Sequence, residues 1–267
     1  LALLSDAGYE VAGDHRTGLE ISALGMTQAV EDFSALPNVR SELAGIVRGA
    51  GSSYGFLQGR IVLDKDFTRD ALTNALQFGP PDSGALGVVH IASHFALGPT
   101  DKNSNLLLGD GSLLSLADMK SDRFTFDFGS VDLLTLSACS TAFGLANSDG
   151  RDIESFSEVS RKGGARAILA SLWPVNDLST SLMMQRFYEL RERRNLGKAE
   201  ALAAVQREFI AGTLGQGDGS ESIVAETARR GASAIEENNS AGPAPVQLDG
   251  FKHPFYWAPF IIMGNWQ

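Results

Sequence analysis

The sequence predicts an α/β fold in which a mainly parallel sheet is covered by helices on both faces. Two observations carry this prediction. Several apolar runs of strand length show little polar alternation, which is typical of strands buried on both faces of a parallel sheet. These runs alternate along the chain with segments whose apolar residues recur every three to four positions, the pattern of amphipathic helices. No internal repeat and no convincing linker divides the chain.

The first half of the chain alternates strands and helices. An apolar stretch from Leu19 to Ala29 predicts the first strand, and we interpret residues 1–17 before it as a lead-in. The elements predicted next are a helix over 36–47, a strand over 60–63, a helix over 67–76 and a strand over 88–94. Loops rich in glycine, serine and proline separate these elements.

The second half continues the alternation after a β-hairpin whose tight turn is Asp110-Gly111. The predicted elements are strands over 131–139, 165–173 and 256–264, and helices over 153–161, 180–194 and 198–209. Residues 213–250 are rich in glycine, serine, glutamate and asparagine, with one helix expected near 221–229. We interpret this region as a surface insertion in one domain that spans 18–267.

Composition excludes several classes of function. The 267 residues carry a net charge of -10 with a pI near 4.9, which argues against a nucleic-acid partner and against attraction to anionic lipid. No apolar run reaches the roughly 18 residues that a membrane helix needs, so no membrane contact is expected. An acidic surface leaves basic protein partners open.

The cysteine content and the start of the chain point to a compartment and to a longer protein. A single cysteine excludes an internal disulfide framework and a multi-cysteine zinc site, which favours a reducing compartment such as the cytoplasm. Because the chain begins at Leu1 without methionine, we expect it to be a piece of a longer protein.

Two predicted strands end on residues capable of nucleophilic catalysis. His94 closes one strand, and Cys139, the only cysteine, closes the next long one. Active sites of open α/β sheets collect at the carboxyl ends of the strands, so the two side chains face each other if the strands are neighbours. A histidine beside a thiol takes its proton or holds the thiolate. The alternative is a buried cysteine that acts only as a small apolar residue.

The small polar residues that surround Cys139 favour the reactive interpretation. Residues 137–141 are Ser, Ala, Cys, Ser and Thr rather than a continued apolar run. The spacing between His94 and Cys139 is also close to the roughly 50 residues by which the histidine precedes the cysteine in caspases. We therefore predict a His94/Cys139 dyad.

Other motifs are assigned to structure rather than chemistry. His90 and His94 lie four residues apart, but no glutamate or cysteine accompanies them as in known zinc motifs, so we interpret His90 as a hydrogen-bonded core histidine. Residues 51–55 match the nucleophile-elbow pattern but follow a helix instead of a strand, which indicates a loop. A serine hydrolase that uses Ser52 or Ser53 as its nucleophile is an alternative hypothesis. Residues 101–105 open like a calcium loop but lack its later glycine and glutamate.

Five ordered motifs together resemble a known family. They are His90-Ile91-Ala92-Ser93-His94, the hairpin over 104–111, Leu136-Ser137-Ala138-Cys139-Ser140-Thr141, residues 164–177, and His253-Pro254-Phe255-Tyr256-Trp257. Over roughly residues 18–267 the chain resembles the CHAT family, a caspase-like and separase-like group of cysteine peptidases that is often fused to TPR repeats.

The resemblance implies a caspase-like three-layer sandwich with a mostly parallel six-stranded sheet and helices on both faces. It implies that His94 and Cys139 are catalytic, and that the backbone amides of Phe95 and Cys139 form the oxyanion hole. No metal or organic cofactor is needed for this chemistry. The implied partners are a protein substrate and TPR repeats or another sensor in the same chain or complex.

Five further positions concern the cleft and the recognition of the substrate. Phe95 stands where caspase-like sites commonly have glycine, which we expect to narrow the cleft or strain the amide. Asp177 lies where separase-like enzymes place an acid that reads a basic residue before the scissile bond, and Ser137 is a second substrate-binding candidate. The alternative for Asp177 is the N-cap of the helix over 180–194. Asp149 and Asp152 are weaker candidates for the same recognition.

We therefore predict a cysteine endopeptidase that cleaves a protein, after a basic residue, through a thioester acyl-enzyme. The alternative is a catalytically silent caspase-like domain that serves as a scaffold or signalling module.

Overall fold

The computed structural model describes residues 18–49, 55–78, 84–96, 100–137, 159–173, 175–214 and 248–267. The main sheet has seven strands, and helices cover both of its faces, which confirms the predicted α/β sandwich. The strands are β1 (Glu20–Gly25), β2 (Val47–Arg48), β3 (Leu57–Leu63), β4 (Gly87–Ala92), β8 (Val131–Leu136), β9 (Ala167–Ser171) and β10 (Phe260–Gly264). A second, three-stranded sheet contains β5 (Phe95–Ala96), β6 (Asn105–Leu107) and β7 (Leu113–Ser115).

The main sheet has the strand order β10-β9-β8-β4-β1-β3-β2. Its first six strands along the chain pair in parallel, and β10 alone runs antiparallel, against β9. One strand more is present than expected, since Val47 was assigned to the first helix. Val47 instead has extended backbone angles and pairs with Leu57, because a β-branched residue readily leaves a helix for a strand.

Five helices are described, and they are α1 (Val39–Ile46), α2 (Arg69–Ala75), α3 (Leu116–Ser121), α4 (Asp177–Arg194) and α5 (Lys198–Ala211). Short 3-10 turns cover Asp64–Asp66, Leu248–Lys252 and Pro254–Tyr256. Helix α4 begins three residues before the predicted start, because the Asn176 side chain accepts a hydrogen bond from the Ser179 amide and caps it there. None of these helices combines the length and apolar composition needed to cross a bilayer.

Two apolar cores lie on opposite faces of the sheet. In β4, Val88 and Ala92 pack in the core that contains α1, α4 and α5 residues, whereas Val89 and Ile91 pack with α2 and α3. This alternation follows from the two-residue side-chain period of a strand. His90 has the same parity as Val88 and therefore faces the α1 and α4 side.

The carboxyl ends of β4 and β8 lie side by side. The two strands pair in parallel, with His90 opposite Thr135 and Ile91 opposite Leu136. The condition under which His94 and Cys139 would face each other, namely that their strands be neighbours, is therefore met. Strands paired in this way lie about 4.8 Å apart, so residues just beyond their ends share one rim of the sheet.

The predicted hairpin forms part of the small sheet above this rim. β6 and β7 are antiparallel, and the turn between them includes Gly111, whose φ of 90° suits glycine. β5 joins the other side of β6, with Phe95 opposite Leu106. The small sheet thus anchors the chain immediately after His94.

Several predictions lie outside the described residues. They concern the lead-in over 1–17, most of the helix over 153–161, the helix near 221–229 and residues 215–247 of the expected insertion. These assignments, and the single-domain boundaries, stay predictions.

Candidate active site

His94 follows β4 at the rim of the sheet and is held by a backbone carbonyl. Its imidazole is only 1% exposed, and Nε2 donates a hydrogen bond of 2.8 Å to the carbonyl oxygen of Ser34. A carbonyl oxygen only accepts hydrogen bonds, so in the neutral ring the proton is on Nε2 and Nδ1 is the acceptor. Nδ1 is buried and has no hydrogen-bond partner in the described part of the chain. The nitrogen left open is therefore the one that can accept a proton.

The surroundings of His94 favour its neutral form. Burial lowers the pKa of the imidazole, an effect that the hydrogen bond to the Ser34 carbonyl partly opposes. The Phe33 ring contributes to this apolar environment, since its centroid lies 5.3 Å from that of His94. A neutral, oriented imidazole near neutral pH is what a general base requires.

If His94 acts as a base, the pH profile of activity should reflect its lowered pKa. We expect the acidic limb of kcat/KM to lie at lower pH than an exposed histidine would give, because protonation of the buried ring is disfavoured. Peptide cleavage measured across pH 4 to 9 at constant ionic strength tests this. An acidic limb at or above the position expected for an exposed histidine would contradict it.

Two serine hydroxyls share this rim with His94. The Ser137 amide extends the pairing of β8 by donating to the Ile91 carbonyl, and Ser171 ends β9. Both hydroxyl oxygens are buried, and neither has a partner in the structure's described ranges. Buried polar atoms are normally hydrogen-bonded. Three such atoms, on His94, Ser137 and Ser171, therefore lie together at the ends of three adjacent strands.

The predicted nucleophile, Cys139, lies two residues beyond Ser137 and outside the described residues. The positions of Asp149, Asp152, Ser52 and Ser53 are also outside the described residues. Cys139 therefore stays a prediction as nucleophile and as oxyanion donor. Because β4 pairs with β8, the backbone amide of Ser137 donates a hydrogen bond to the carbonyl of Ile91. Ser137 precedes Cys139 by two residues, and Ile91 precedes His94 by three.

Phe95 directs its ring into the core and not into an open cleft. It is 3% exposed and packs in the apolar cluster that also contains Leu24 and Leu106. Its φ is not among the positive values, which in the described non-glycine residues occur only at Glu31, Asp64 and Asn195. The described residues therefore show no strained backbone at this position, and the expectation of a narrowed cleft stays a prediction. The oxyanion role of its amide stays a prediction.

Asp177 is the first residue of α4 and is not its N-cap, so that alternative is wrong. Asn176 caps the helix, and Asp177 instead contacts the start of α1. Its Oδ2 accepts hydrogen bonds from the backbone amide and side-chain amide of Asn38, at 2.9 and 2.8 Å. The carboxylate is partly buried, and burial raises its pKa, whereas the two hydrogen bonds from Asn38 lower it.

A buried polar network lies beneath the rim. His90 is fully buried, as expected for a core histidine, and its Nε2 lies 2.8 Å from Oε1 of Glu42 on α1. Its Nδ1 lies 3.3 Å from the Tyr188 hydroxyl, which is 2.7 Å from the Thr135 hydroxyl. The network therefore ties α1 and α4 to the two strands that lead to the site. The interpretation of His90 as a hydrogen-bonded core residue is confirmed.

Sequence reasoning missed three contributors, namely the Ser34 carbonyl, Asn38 and Glu42. A backbone carbonyl leaves no mark on residue choice, so nothing in the sequence pointed to Ser34. Asn38 resembled an ordinary helix-start residue after Pro37, and Glu42 an ordinary polar position of an amphipathic helix. No cluster of three or more His, Cys, Asp or Glu side chains that could hold a metal ion occurs within the described ranges.

Comparison with known proteins identifies the family. No curated protein sequence matches the chain significantly. A family model of the CHAT domain matches residues 10–265, which is nearly the whole chain. The match agrees with the α/β sandwich of the structure. The chain therefore belongs to the CHAT domain family, which is related to the caspase-like cysteine proteases.

Proposed function

We propose that the protein is a cysteine endopeptidase that cleaves a protein substrate after a basic residue. The observation that carries this proposal is the state of His94. Its ring is buried, oriented by the Ser34 carbonyl and open at Nδ1, on the rim that β8 reaches just before Cys139. Membership of the CHAT family supports the same chemistry.

In the proposed acylation, Nδ1 of His94 accepts the proton of the Cys139 thiol. The thiolate attacks the scissile carbonyl carbon, and the carbonyl electron pair moves to its oxygen. The backbone amides of Phe95 and Cys139 donate hydrogen bonds to this oxyanion. When the intermediate collapses, the C–N bond breaks and protonated His94 delivers its proton to the leaving amine. A thioester remains on Cys139.

Deacylation repeats the sequence with water. Neutral His94 takes a proton from a water molecule, whose oxygen attacks the thioester carbonyl. The C–S bond then breaks, the carboxylic acid product leaves, and His94 returns its proton to the cysteine sulfur. The Ser34 carbonyl would hold the ring in one orientation throughout, and it stabilises the protonated form while that form lasts.

Asp177 supplies the proposed preference for arginine or lysine. In the described part of the chain, only Oδ2 of its carboxylate accepts hydrogen bonds, both from Asn38. Oδ1 is then available to a guanidinium or ammonium group, with which it would form a charge-assisted hydrogen bond. Ser137, with a buried hydroxyl lacking a partner in the described structure, stays a candidate contact for the substrate backbone.

Asp177→Asn should remove the preference and leave the catalytic residues in place. The substituted side chain keeps its shape and one oxygen for Asn38, but it lacks the negative charge that attracts a cation. We expect kcat/KM for arginine substrates to fall about tenfold to a hundredfold, as for loss of a charged hydrogen bond. Cleavage of a fluorogenic peptide library varied before the scissile bond measures this, with Cys139→Ala as the background.

The result can fail in a recognisable way. An unchanged preference in Asp177→Asn, with turnover that still depends on Cys139, would assign recognition of the basic residue elsewhere. Asp149 and Asp152 would then be the next positions to substitute.

The alternative is a silent caspase-like domain that acts as a scaffold. It rests on the sequence alone, in which Phe95 replaces the usual glycine, since the buried ring of Phe95 and its lack of a positive φ give it no further support. A thiol-reactive probe separates the two. Rapid labelling of Cys139 near neutral pH that slows in His94→Ala supports the peptidase, since a paired histidine increases the thiolate fraction. Labelling at the rate of an ordinary thiol in both proteins supports the scaffold. Labelling of Ser52 or Ser53 by a fluorophosphonate would support a serine hydrolase.

The proposal also includes its setting. A reducing compartment such as the cytoplasm would keep the single cysteine as a thiol. TPR repeats or another sensor, in the same chain or in a complex, would restrain the enzyme until a signal arrives.

A further inference from the structure

We propose that Asn38 is a positioning residue for the recognition of basic substrates, and that it acts by orienting the carboxylate of Asp177. The inference deepens the proposed function and rests on it for the role of Asp177. Asn38 lies at the start of α1, whereas Asp177 begins α4. Asn38 would set the orientation in which the carboxylate of Asp177 meets the substrate.

Asn38 forms two hydrogen bonds to a single carboxylate oxygen of Asp177. Its backbone amide and its side-chain amide both donate to Oδ2, at 2.9 and 2.8 Å. Two donors on one carboxylate oxygen occupy both of its in-plane lone pairs and leave the other oxygen for a third partner. The carboxylate is thereby held in one orientation, with Oδ1 as the remaining acceptor.

Asn38 is itself firmly placed. It is 7% exposed, and its carbonyl accepts hydrogen bonds from the Glu42 amide and the Ser41 hydroxyl in the first turn of α1. An asparagine at a helix start normally accepts a hydrogen bond from its own helix through its side chain. At this start no such cap is formed, and the side-chain amide instead donates to Asp177 on α4. The Asn38 side chain thus forms the contact with Asp177 in place of a cap on its own helix, which indicates that this contact is the more important of the two.

The same short segment also holds the proposed base. The Ser34 carbonyl binds Nε2 of His94, and Asn38 lies four residues further along. Four residues span at most about 14 Å. His94 and the carboxylate of Asp177 are therefore both hydrogen-bonded to the same short segment, residues 34–38. Two hydrogen bonds stiffen this segment, from the Leu36 amide to the Thr27 carbonyl and from the Val39 amide to the Leu36 carbonyl. Residues 34–38 thus set the position of one group relative to the other.

Asn38 also favours the charged state that binds a cation. Burial raises the pKa of Asp177 and the nearby charge of Glu42 raises it as well, whereas both hydrogen bonds from Asn38 lower it. Loss of the side-chain donor would leave a carboxylate that is less well oriented and more readily protonated. Both changes weaken the interaction with arginine and leave an uncharged side chain unaffected.

The experiment compares arginine with citrulline, which has the same shape without the charge, before the scissile bond of one fluorogenic peptide. We expect Asn38→Ala to lower the arginine-to-citrulline ratio of kcat/KM about tenfold, mainly through KM for the arginine peptide. The kcat for the citrulline peptide should be nearly unchanged. Asn74→Ala, on the exposed side of α2, is the matched control and should keep the wild-type ratio.

A second variant tests whether the effect of Asn38→Ala comes from misfolding, and a binding assay tests the inference if the enzyme does not turn over. Asn38→Leu keeps the branching and the number of side-chain heavy atoms without the donor and should lower the ratio to a similar degree. Binding of the uncleaved arginine and citrulline peptides to Cys139→Ala protein, with and without Asn38→Ala, measures selectivity without turnover.

The outcomes distinguish the inference from the function on which it rests. An unchanged ratio in Asn38→Ala and Asn38→Leu, with cleavage that depends on Cys139, would overturn the role of Asn38 and leave the peptidase standing. Equal losses for both peptides would likewise overturn it, since they indicate a general structural effect. Absence of cleavage by the wild type, with arginine-selective binding that Asn38→Ala abolishes, would support the positioning role, and labelling of Cys139 at the rate of an ordinary thiol in the same protein would refute the peptidase. Binding of both peptides without selectivity would overturn the inference.

Discussion

Cys139→Ala and His94→Ala are each expected to lower kcat/KM for peptide cleavage by at least about 10³-fold. The first substitution removes the sulfur that forms the acyl-enzyme, and the second removes the group that accepts and returns its proton. The loss for His94 should fall on kcat, because no substrate contact is assigned to its ring. Initial rates with a fluorogenic arginine peptide, followed over at least three orders of magnitude, measure both effects.

The control for His94 is His253→Ala. His253 is exposed, and among the described residues its ring contacts only the Phe255 amide, from which it accepts a hydrogen bond in the turn before β10. This variant should retain wild-type activity. Circular dichroism and thermal unfolding should show that Cys139→Ala and His94→Ala remain folded. Proteolysis at wild-type rates by either purified variant would rule out the dyad.

Glu42→Leu is expected to lower the free energy of unfolding by about 3 kcal/mol or more. Glu42 and His90 are 1% and 0% exposed, and their 2.8 Å contact is the main polar link between α1 and β4. Removing one partner leaves the imidazole nitrogen buried without its carboxylate, and an unsatisfied buried polar group is costly. Chemical denaturation at neutral pH, fitted to two states, measures the change.

Two companion variants show whether the lost pair is the cause. Glu42→Gln keeps the shape and one acceptor for His90, so its loss of stability should be smaller, about 1 kcal/mol. In a double-mutant cycle, His90→Leu combined with Glu42→Leu should be less destabilising than the sum of the single changes, because no orphaned partner remains. A loss below about 1 kcal/mol in Glu42→Leu itself would show that the network contributes little.

Stability and recognition are linked at this helix. Glu42 lies one turn beyond Asn38 on α1, and its amide donates to the Asn38 carbonyl. Gly45, on the same helix, packs so closely on Gln185 of α4 that an added Cβ would collide with that side chain. The polar network and this close approach together keep α1 against α4, where Asn38 meets Asp177.

Much of the fold was accessible from local pattern. The apolar runs of β4, β8 and β9 have no polar face because helices bury both sides of the sheet, and this alone indicates parallel strands. The hairpin of β6 with β7 and the buried state of His90 were predicted correctly, whereas the neighbouring positions of β4 and β8 were a condition that the structure meets. Element boundaries were less accurate, as at β2 and at the start of α4, because one cap or one pairing partner decides them.

The candidate site was accessible only in part. The position of His94 at a strand end followed from the sequence, since strand order and polarity place such ends on one rim. The helix that Asp177 begins was predicted, but its contact with Asn38, 139 residues away, was not. Local periodicity carries no information about which side chains meet across such a separation.

By itself, then, the sequence determined the α/β class, the family and the strand that precedes the proposed base, because these depend on residue periodicity and on ordered motifs. Only the tertiary structure decided the tautomer of His94, the partner of Asp177 and the burial of Glu42 with His90. Each of these depends on how α1 and the segment before it pack on the sheet and on α4. That packing is set by the sum of many distant contacts, which no single stretch of sequence records.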